Sequence, residues 1–318
     1  MLGYARRIVR YASPSHPWIR AALAAAAPWT WFLVRDVGWI AEPFAVAFPL
    51  LAFVGLALAL TFAIVGRNRR TLIVAASVIA LALVVIVGPR MSQSTPAPVD
   101  PIRVVSANVF DRNPTPEDAA RVLARSDADV LVAVETGKGF DELLADADHE
   151  RPFEVLGPGI VVRSRYPLRA LPLPSSLPDQ RSMRVLVERP EGAIVLYAVH
   201  ALNPAYESTF ARQLDFITRL SRAAQNEDGP AMIAGDFNMS DRELGYRRMT
   251  SAFRDADRAS YARDTYTKGL WGLLLLRIDY VFVDPAWCAA DSRRFDVPGS
   301  DHEGIATTVG PCPGAASA

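Results

Sequence analysis

The chain has 318 residues, 51% of them hydrophobic, and a formal net charge of zero, so it is long enough to bury a sizeable core. The zero hides a split: residues 1–100 hold nine arginines against three acidic residues, a net +6, while residues 101–318 hold 25 basic against 31 acidic residues, a net −6. An acidic C-terminal part repels polyanions at long range, which argues against tight non-specific binding of nucleic acid.

Apolar stretches come first along the chain. Residues 44–65 form a run of 22 without a charge and residues 71–87 a run of 17, close to the ~20 that cross a bilayer. Both are apolar on every face, whereas a soluble core helix is typically amphipathic. A shorter stretch, 21–34, contains Pro28 and reads either as a first span or as the apolar part of a signal peptide. Arg6, Arg7, Arg10 and Arg20 precede it, and Arg67, Arg69 and Arg70 separate the last two runs. Three crossings place both arginine-rich segments in the cytoplasm and the long C-terminal part on the far side of a cell membrane. Residues 1–90 therefore read as a multi-pass membrane anchor with the lipid bilayer as its partner, and no protein partner is implied. Residues 91–101, with Pro96, Pro98 and Pro101, read as a tether.

Beyond the tether the pattern changes to short Val- and Ile-rich runs. Strands are predicted at 102–109, 130–134, 159–162, 183–187, 193–199, 231–234, 278–283 and 304–309, and helices at 116–125, 208–225 and 242–252. Pro190, Glu191 and Gly192 signal a hairpin. The result is a mixed α/β domain over residues 102–312. Cys288 and Cys312 are the only cysteines, and they read either as a disulfide or as two buried thiols.

Polar residues stand where those apolar strands end. Asn108, Glu135 and His200 each follow such a run, residues 231–234 lead into Gly235-Asp236-Phe237-Asn238, Asp279 follows Arg277-Ile278, and Ser300-Asp301-His302 precedes the last strand. Alone, each is ordinary: a strand-end Asp or Asn usually caps a turn. Together they match the needs of phosphate-ester hydrolysis, which must neutralise charge on phosphoryl oxygens, orient water and stabilise the leaving oxygen. Oxygen ligands suit a hard cation such as Mg²⁺, with Mn²⁺ as the alternative, while zinc calls for more His or Cys, and Glu135 and Asp301 are the expected metal ligands. No Gly-flanked serine at a strand-to-helix turn, Cys-X-X-Cys pair or Walker-type glycine loop is present, so the main rival chemistries lack their residues.

In order and spacing these motifs resemble the endonuclease/exonuclease/phosphatase superfamily, over most of residues 102–310. The most specific matches are Gly235-Asp236-Phe237-Asn238, Arg277-Ile278-Asp279-Tyr280 and Ser300-Asp301-His302. The resemblance implies a four-layered α-β-β-α sandwich with an active site at one end of the sheets. It implies that Glu135 holds the metal with Asn108 and Asp301 nearby, and that His200 and His302 contact the scissile phosphate. Asp236 would activate water, Asn238 would position the phosphate and Asp279 would pair with His302. Val134 stands where family members often have Gln, and Arg163 and Arg181 read either as phosphate contacts or as ordinary surface arginines.

The implied function is a membrane-anchored, metal-dependent phosphoesterase acting on a lipid, another small phosphodiester or a phosphomonoester. A nuclease and a catalytically silent scaffold on the same fold are the alternatives. Residues 270–276, Leu-Trp-Gly-Leu-Leu-Leu-Leu, read either as a buried strand extension or as a loop that dips into a membrane surface.

Overall fold

Uninterrupted apolar strands require cover on both faces, and the computed structural model supplies it. The structure describes residues 19, 23, 38–66, 69–177, 182–204, 207–267 and 275–314. The chain divides into two compact units, Met1–Pro89 and Arg90–Ala318.

In the first unit, helices α1 (Glu42–Gly66) and α2 (Arg69–Val87) pair. Ala41, Ala45, Phe48, Ala52 and Ala82 bury against one another, with Val85 and Ile86 packed beside them. The structure corrects the membrane placement read from the sequence. Among the described residues, no helix is long and apolar enough to cross a membrane. Absence of charge was the basis for the expected spans, but α1 opens on Glu42 and carries Pro49, α2 opens on two arginines, and part of the apolar surface is used within the helix pair. Multi-pass anchoring and the far-side location of the second unit are set aside with it. The 21–34 stretch lies outside the described residues except for residue 23.

In the second unit, twelve strands form two six-stranded sheets among the described residues. The first contains β1 (Ile102–Asn108), β2 (Val130–Val134), β3 (Phe153–Gly157), β4 (Ile160–Ser164), β11 (Trp287–Asp296) and β12 (Glu303–Pro311), in the order β11-β12-β1-β2-β4-β3. The second contains β5 (Leu168–Leu171), β6 (Ser182–Val187), β7 (Ile194–His200), β8 (Ala231–Asp236), β9 (Arg254–Asp255) and β10 (Asp279–Val283), in the order β5-β6-β7-β8-β10-β9. Each sheet has one parallel pair, β1 with β2 and β7 with β8. Helix α3 (Pro116–Ala124) crosses over between the first pair and α5 (Glu207–Gln225) between the second, while α4 (Phe140–Ala147) and α6 (Leu244–Thr250) complete the outer layers.

The alternation of side chains assigns the layers. Val104, Val130, Val132 and Val134 face Val185, Leu196, Ala198, Met232 and Val281 of the other sheet. On the reverse face, Val105, Leu131 and Ala133 meet Ala120 and Leu123 of α3 and Phe140 and Leu144 of α4. Val195, Tyr197 and Ile233 likewise meet Phe216, Ile217 and Leu220 of α5 and Tyr246 and Met249 of α6. Each fully buried Val, Leu or Ile contributes roughly 1.5–3 kcal/mol. Two packed mixed sheets flanked by helices are the sandwich that the resemblance implied.

Strands β3, β5, β9 and β11 and helix α4 were not expected. The strands lie at or beside sheet edges, where one side needs no apolar partner; β11 carries Asp291, Arg293 and Arg294 around a register shift. Cys288 and Cys312 are joined in a disulfide that links the start of β11 to the residue after β12. Arg163 is buried on Asp148, Glu154 and the Arg151 carbonyl, so its charge is engaged in the outer layer. Arg181 and residues 270–274 lie outside the described residues.

The Pro-rich segment runs along this unit. Gln93 N–H donates to the Arg258 carbonyl, Thr95 Oγ1 to that of Ala289, and Val99 N–H to that of Pro311. Arg90, only 3% exposed, pairs with Asp241 and Asp264 and donates to the Leu275 carbonyl. Asp241 also faces Arg242 and Arg277, and Arg277 continues the network to Asp255 and Asp257.

Removing one partner of such a buried set leaves uncompensated charge, so Arg90→Ala is expected to lower the unfolding free energy by about 3–5 kcal/mol, measured by urea titration of the full chain. Gly235 has φ +139°, and a Cβ there would lie 1.9 Å from the Val199 carbonyl oxygen of β7. Gly235→Ala should therefore destabilise by at least about 2 kcal/mol, read as a lower thermal midpoint.

Candidate active site

Strand register lines up the polar strand ends. In the second sheet, His200 at the end of β7 pairs with Asp236 at the end of β8, and Asp236 pairs with Asp279 at the start of β10. In the first sheet, β1 ends on Asn108 and β2 runs into Glu135, and His302 immediately precedes β12. The sheets face one another, so the two sets meet.

Asp236 is the junction. One carboxylate oxygen accepts from the backbone N–H of Asn238 at 2.7 Å, and the other accepts from the side-chain amides of Asn108 at 3.0 Å and Asn238 at 3.2 Å. Three donors fix its orientation. Burial, followed by the neighbouring charge of Asp279, pushes its carboxyl well above the usual range, against the pull of His302, His200 and the Asn238 N–H.

His302 Nδ1 lies 2.7 Å from Asp279 Oδ2. Burial alone would favour the neutral imidazole, but the charge and hydrogen bond of Asp279, with Asp236 and Asp301 behind them, raise His302 to about 10. Its ring therefore stays doubly protonated at neutral pH, with Nε2 available to donate. Glu135 Oε1 lies 3.0 Å from His200 Nε2. Burial opposes ionisation of Glu135, yet hydrogen bonds from His200 and Asn108 and the charges of His200 and His302 outweigh it and lower the carboxyl to about 2.

Ligand atoms of Glu135, His200 and Asp236 lie within 4.8 Å of one another, as do those of Asp236, Asp279 and His302. Carboxylate oxygens so close suit a cation. Asp279 Oδ1 is buried without a hydrogen-bond partner among the described residues, a second sign that the cluster is short of positive charge. Among the described residues Asp301 belongs to neither group. Its carbonyl accepts from Thr267, and its charge acts on His302 and Tyr266 from the rim.

The backbone is bent to make this arrangement. Glu135 and Asn238 have φ of 52° and 48°, in the left-handed region, where a non-glycine residue is held only by its surroundings. Asn238 Nδ2 donates to the Ala201 carbonyl. Ser300 Oγ donates to the Asn108 carbonyl and accepts from His302 N–H, which ties the His302 loop to β1.

Two residues near the site were not anticipated from the sequence. The half-buried Tyr266 meets the His302 ring edge to face at 5.2 Å, and no period or motif points to it. Gln213 is buried in α5 and donates to the carbonyls of Phe237 and Asn238. A signal for it did exist: it is a polar residue on the seam of Phe210, Ile217, Leu220 and Ala224.

The sequence of residues 105–302 matches the Endonuclease/Exonuclease/phosphatase family. No curated protein sequence matches the chain. Among solved structures, an endonuclease/exonuclease/phosphatase from Beutenbergia cavernae DSM 12333 is similar at TM-score 0.53 and 20% identity, covering 68% of this chain and 72% of that one. Sphingomyelinase C from Streptomyces griseocarneus is similar at TM-score 0.51 and 16% identity, covering 66% and 99%. Humanized D. rerio TDP2 is similar at 0.54 and 17%, also covering 66% and 99%. At these identities the likeness is one of fold. With the family match spanning more than half of the residues, the chain belongs to the Endonuclease/Exonuclease/phosphatase family, whose members are typically metal-dependent hydrolases of phosphoester bonds.

Proposed function

We propose that this protein hydrolyses phosphodiesters with the help of a hard divalent cation, Mg²⁺ or Mn²⁺. The observation that carries the reading is the convergence of Glu135, Asp236 and Asp279 with two imidazoles at one end of the sheets. Glu135 would hold the cation, with Asn108 and Asp301 beside it, and their side-chain oxygens are the donors that such an ion takes. When bound, the cation would neutralise charge on a phosphoryl oxygen.

The remaining steps belong to the chain's own groups. Asp236, its carboxylate fixed by three donors, orients water and accepts its proton, and its raised proton affinity suits that task near neutral pH. His302, kept doubly protonated by Asp279, donates from Nε2 to a non-bridging phosphoryl oxygen and stabilises the charge that develops there. His200 contacts the phosphate from the Glu135 side, and Asn238 helps to hold it. The net acidic charge of residues 101–318 favours a small phosphodiester over a polyanion such as DNA.

Asp236→Asn is expected to lower kcat for bis(4-nitrophenyl) phosphate by about 10²–10⁴-fold, and His302→Ala and Glu135→Gln by about 10²–10³-fold, with unchanged circular dichroism. Near wild-type turnover in all three variants would refute the assignment. Chelation with EDTA should abolish hydrolysis while the fold persists, and excess Mg²⁺ or Mn²⁺ should restore it. Hydrolysis that survives EDTA would rule out the cation's role. A parallel assay with plasmid DNA separates the substrate classes: cleavage of DNA without cleavage of the small diester would favour a nuclease.

A further inference from the structure

Asn238 occupies an uncommon conformation, and its neighbours hold it there. At φ 48° it stands in the left-handed region, which asparagine enters more readily than other non-glycine residues because its side chain can hydrogen-bond locally. The turn is also surrounded by groups that must be satisfied, because Phe237 is fully buried and Asp236 nearly so. With this geometry the carbonyls of Phe237 and Asn238 both face α5, and a single side chain answers them. Gln213 Nε2 lies 3.0 Å from the Phe237 oxygen and 2.7 Å from the Asn238 oxygen.

The chemistry of the contact is specific. A primary amide nitrogen carries two N–H donors, so one Gln can satisfy both carbonyls while no apolar residue can satisfy either. Gln213 is 2% exposed, and water has little access to replace it. Its helix is fixed by Phe216, Ile217 and Leu220 against the outer face of the second sheet. The amide therefore reaches the turn from a rigid support, and the turn in turn directs the N–H and amide of Asn238 onto Asp236.

We infer that Gln213 is a positioning residue for this site: by clamping the Phe237 and Asn238 carbonyls it holds Asn238 left-handed and so fixes the direction of the Asp236 carboxylate. Gln213 touches neither the phosphate nor the cation. Its effect passes through backbone, which separates it from the residues that ring the mouth. The inference rests on the function proposed above only for its kinetic readout.

The test compares Gln213→Met, which keeps the length of the side chain and removes both donors, with Phe216→Leu, which weakens the same helix's packing and leaves the donors in place. Kinetics use bis(4-nitrophenyl) phosphate with Mg²⁺, and hydrogen exchange is followed at the Asn238 N–H that donates to Asp236. Gln213→Met should lower kcat about tenfold or more with KM within about twofold, and speed exchange at Asn238 about tenfold. Phe216→Leu should lower the thermal midpoint while leaving kcat and that exchange rate within about twofold. If Gln213→Met does not fold, Gln213→Asn, whose amide falls one methylene short, carries the comparison and should show the same pattern more weakly. Equal losses of kcat in the two variants, or unchanged exchange at Asn238 in Gln213→Met, would overturn the inference. If the wild-type protein hydrolyses no diester, the functional reading fails, and the exchange measurement still decides the role of Gln213.

Discussion

Carboxylates brought together by strand register repel one another, and the arrangement of the site follows from the need to relieve that repulsion. Asp236 and Asp279 are directly opposed across β8 and β10, and Glu135 approaches Asp236 from the other sheet. Two unit charges about 5 Å apart at an effective dielectric of about 20 repel by roughly 3 kcal/mol, a large share of the stability of an ordinary domain. His302 supplies part of the answer by remaining doubly protonated against Asp279. Asn108 and Asn238 supply another part by donating to Asp236. The unpartnered oxygen of Asp279 leaves the account short of positive charge, which is the physical ground for a cation in this place.

The sandwich makes such crowding possible because its halves are built alike. Each sheet contributes one parallel pair with a helix crossing over its outer face, and each pair delivers polar residues at the ends of apolar strands. Asn108 and Glu135 come from one half, His200 and Asp236 from the other. The joint between strands β7 and β8 is so close that Gly235 has no room for a Cβ beside Val199, and this contact brings His200 level with Asp236. Behind the site, Arg277 lies under Tyr280 and Tyr246 and pairs with Asp255, so the strand that opens on Asp279 is locked from its buried side. Arg90 extends the same network to the segment that precedes β1.

How much of this was legible in the sequence depended on what each residue had to satisfy. Central strands such as 130–134 are covered on both faces and read as unbroken apolar runs. Edge strands are not: β3 has the sequence Phe-Glu-Val-Leu-Gly and leaves Phe153 and Leu156 exposed, so no apolar pattern announces it. Site residues stood out because a polar group at the end of an apolar strand is conspicuous, and Asn108, Glu135, His200, Asp236, Asn238, Asp279 and His302 are brought together. Distances were not legible, and neither was the partnership of Gln213, since a polar residue in an apolar helical seam names no recipient. The membrane reading failed for a different reason: a run without charges measures hydrophobicity, while a span also depends on which helix those residues build, and α1 and α2 bury apolar side chains against one another.

The central proposal is that the clustered acids hold a cation in the folded protein. A ligand that binds only the folded state raises its stability in proportion to the logarithm of its concentration, so the thermal midpoint should be measured with and without saturating Mg²⁺, in the wild-type protein and in Glu135→Gln. The midpoint should climb with Mg²⁺ in the wild type, and the climb should largely vanish in Glu135→Gln. A wild-type midpoint indifferent to Mg²⁺ and to Mn²⁺ alike would contradict it.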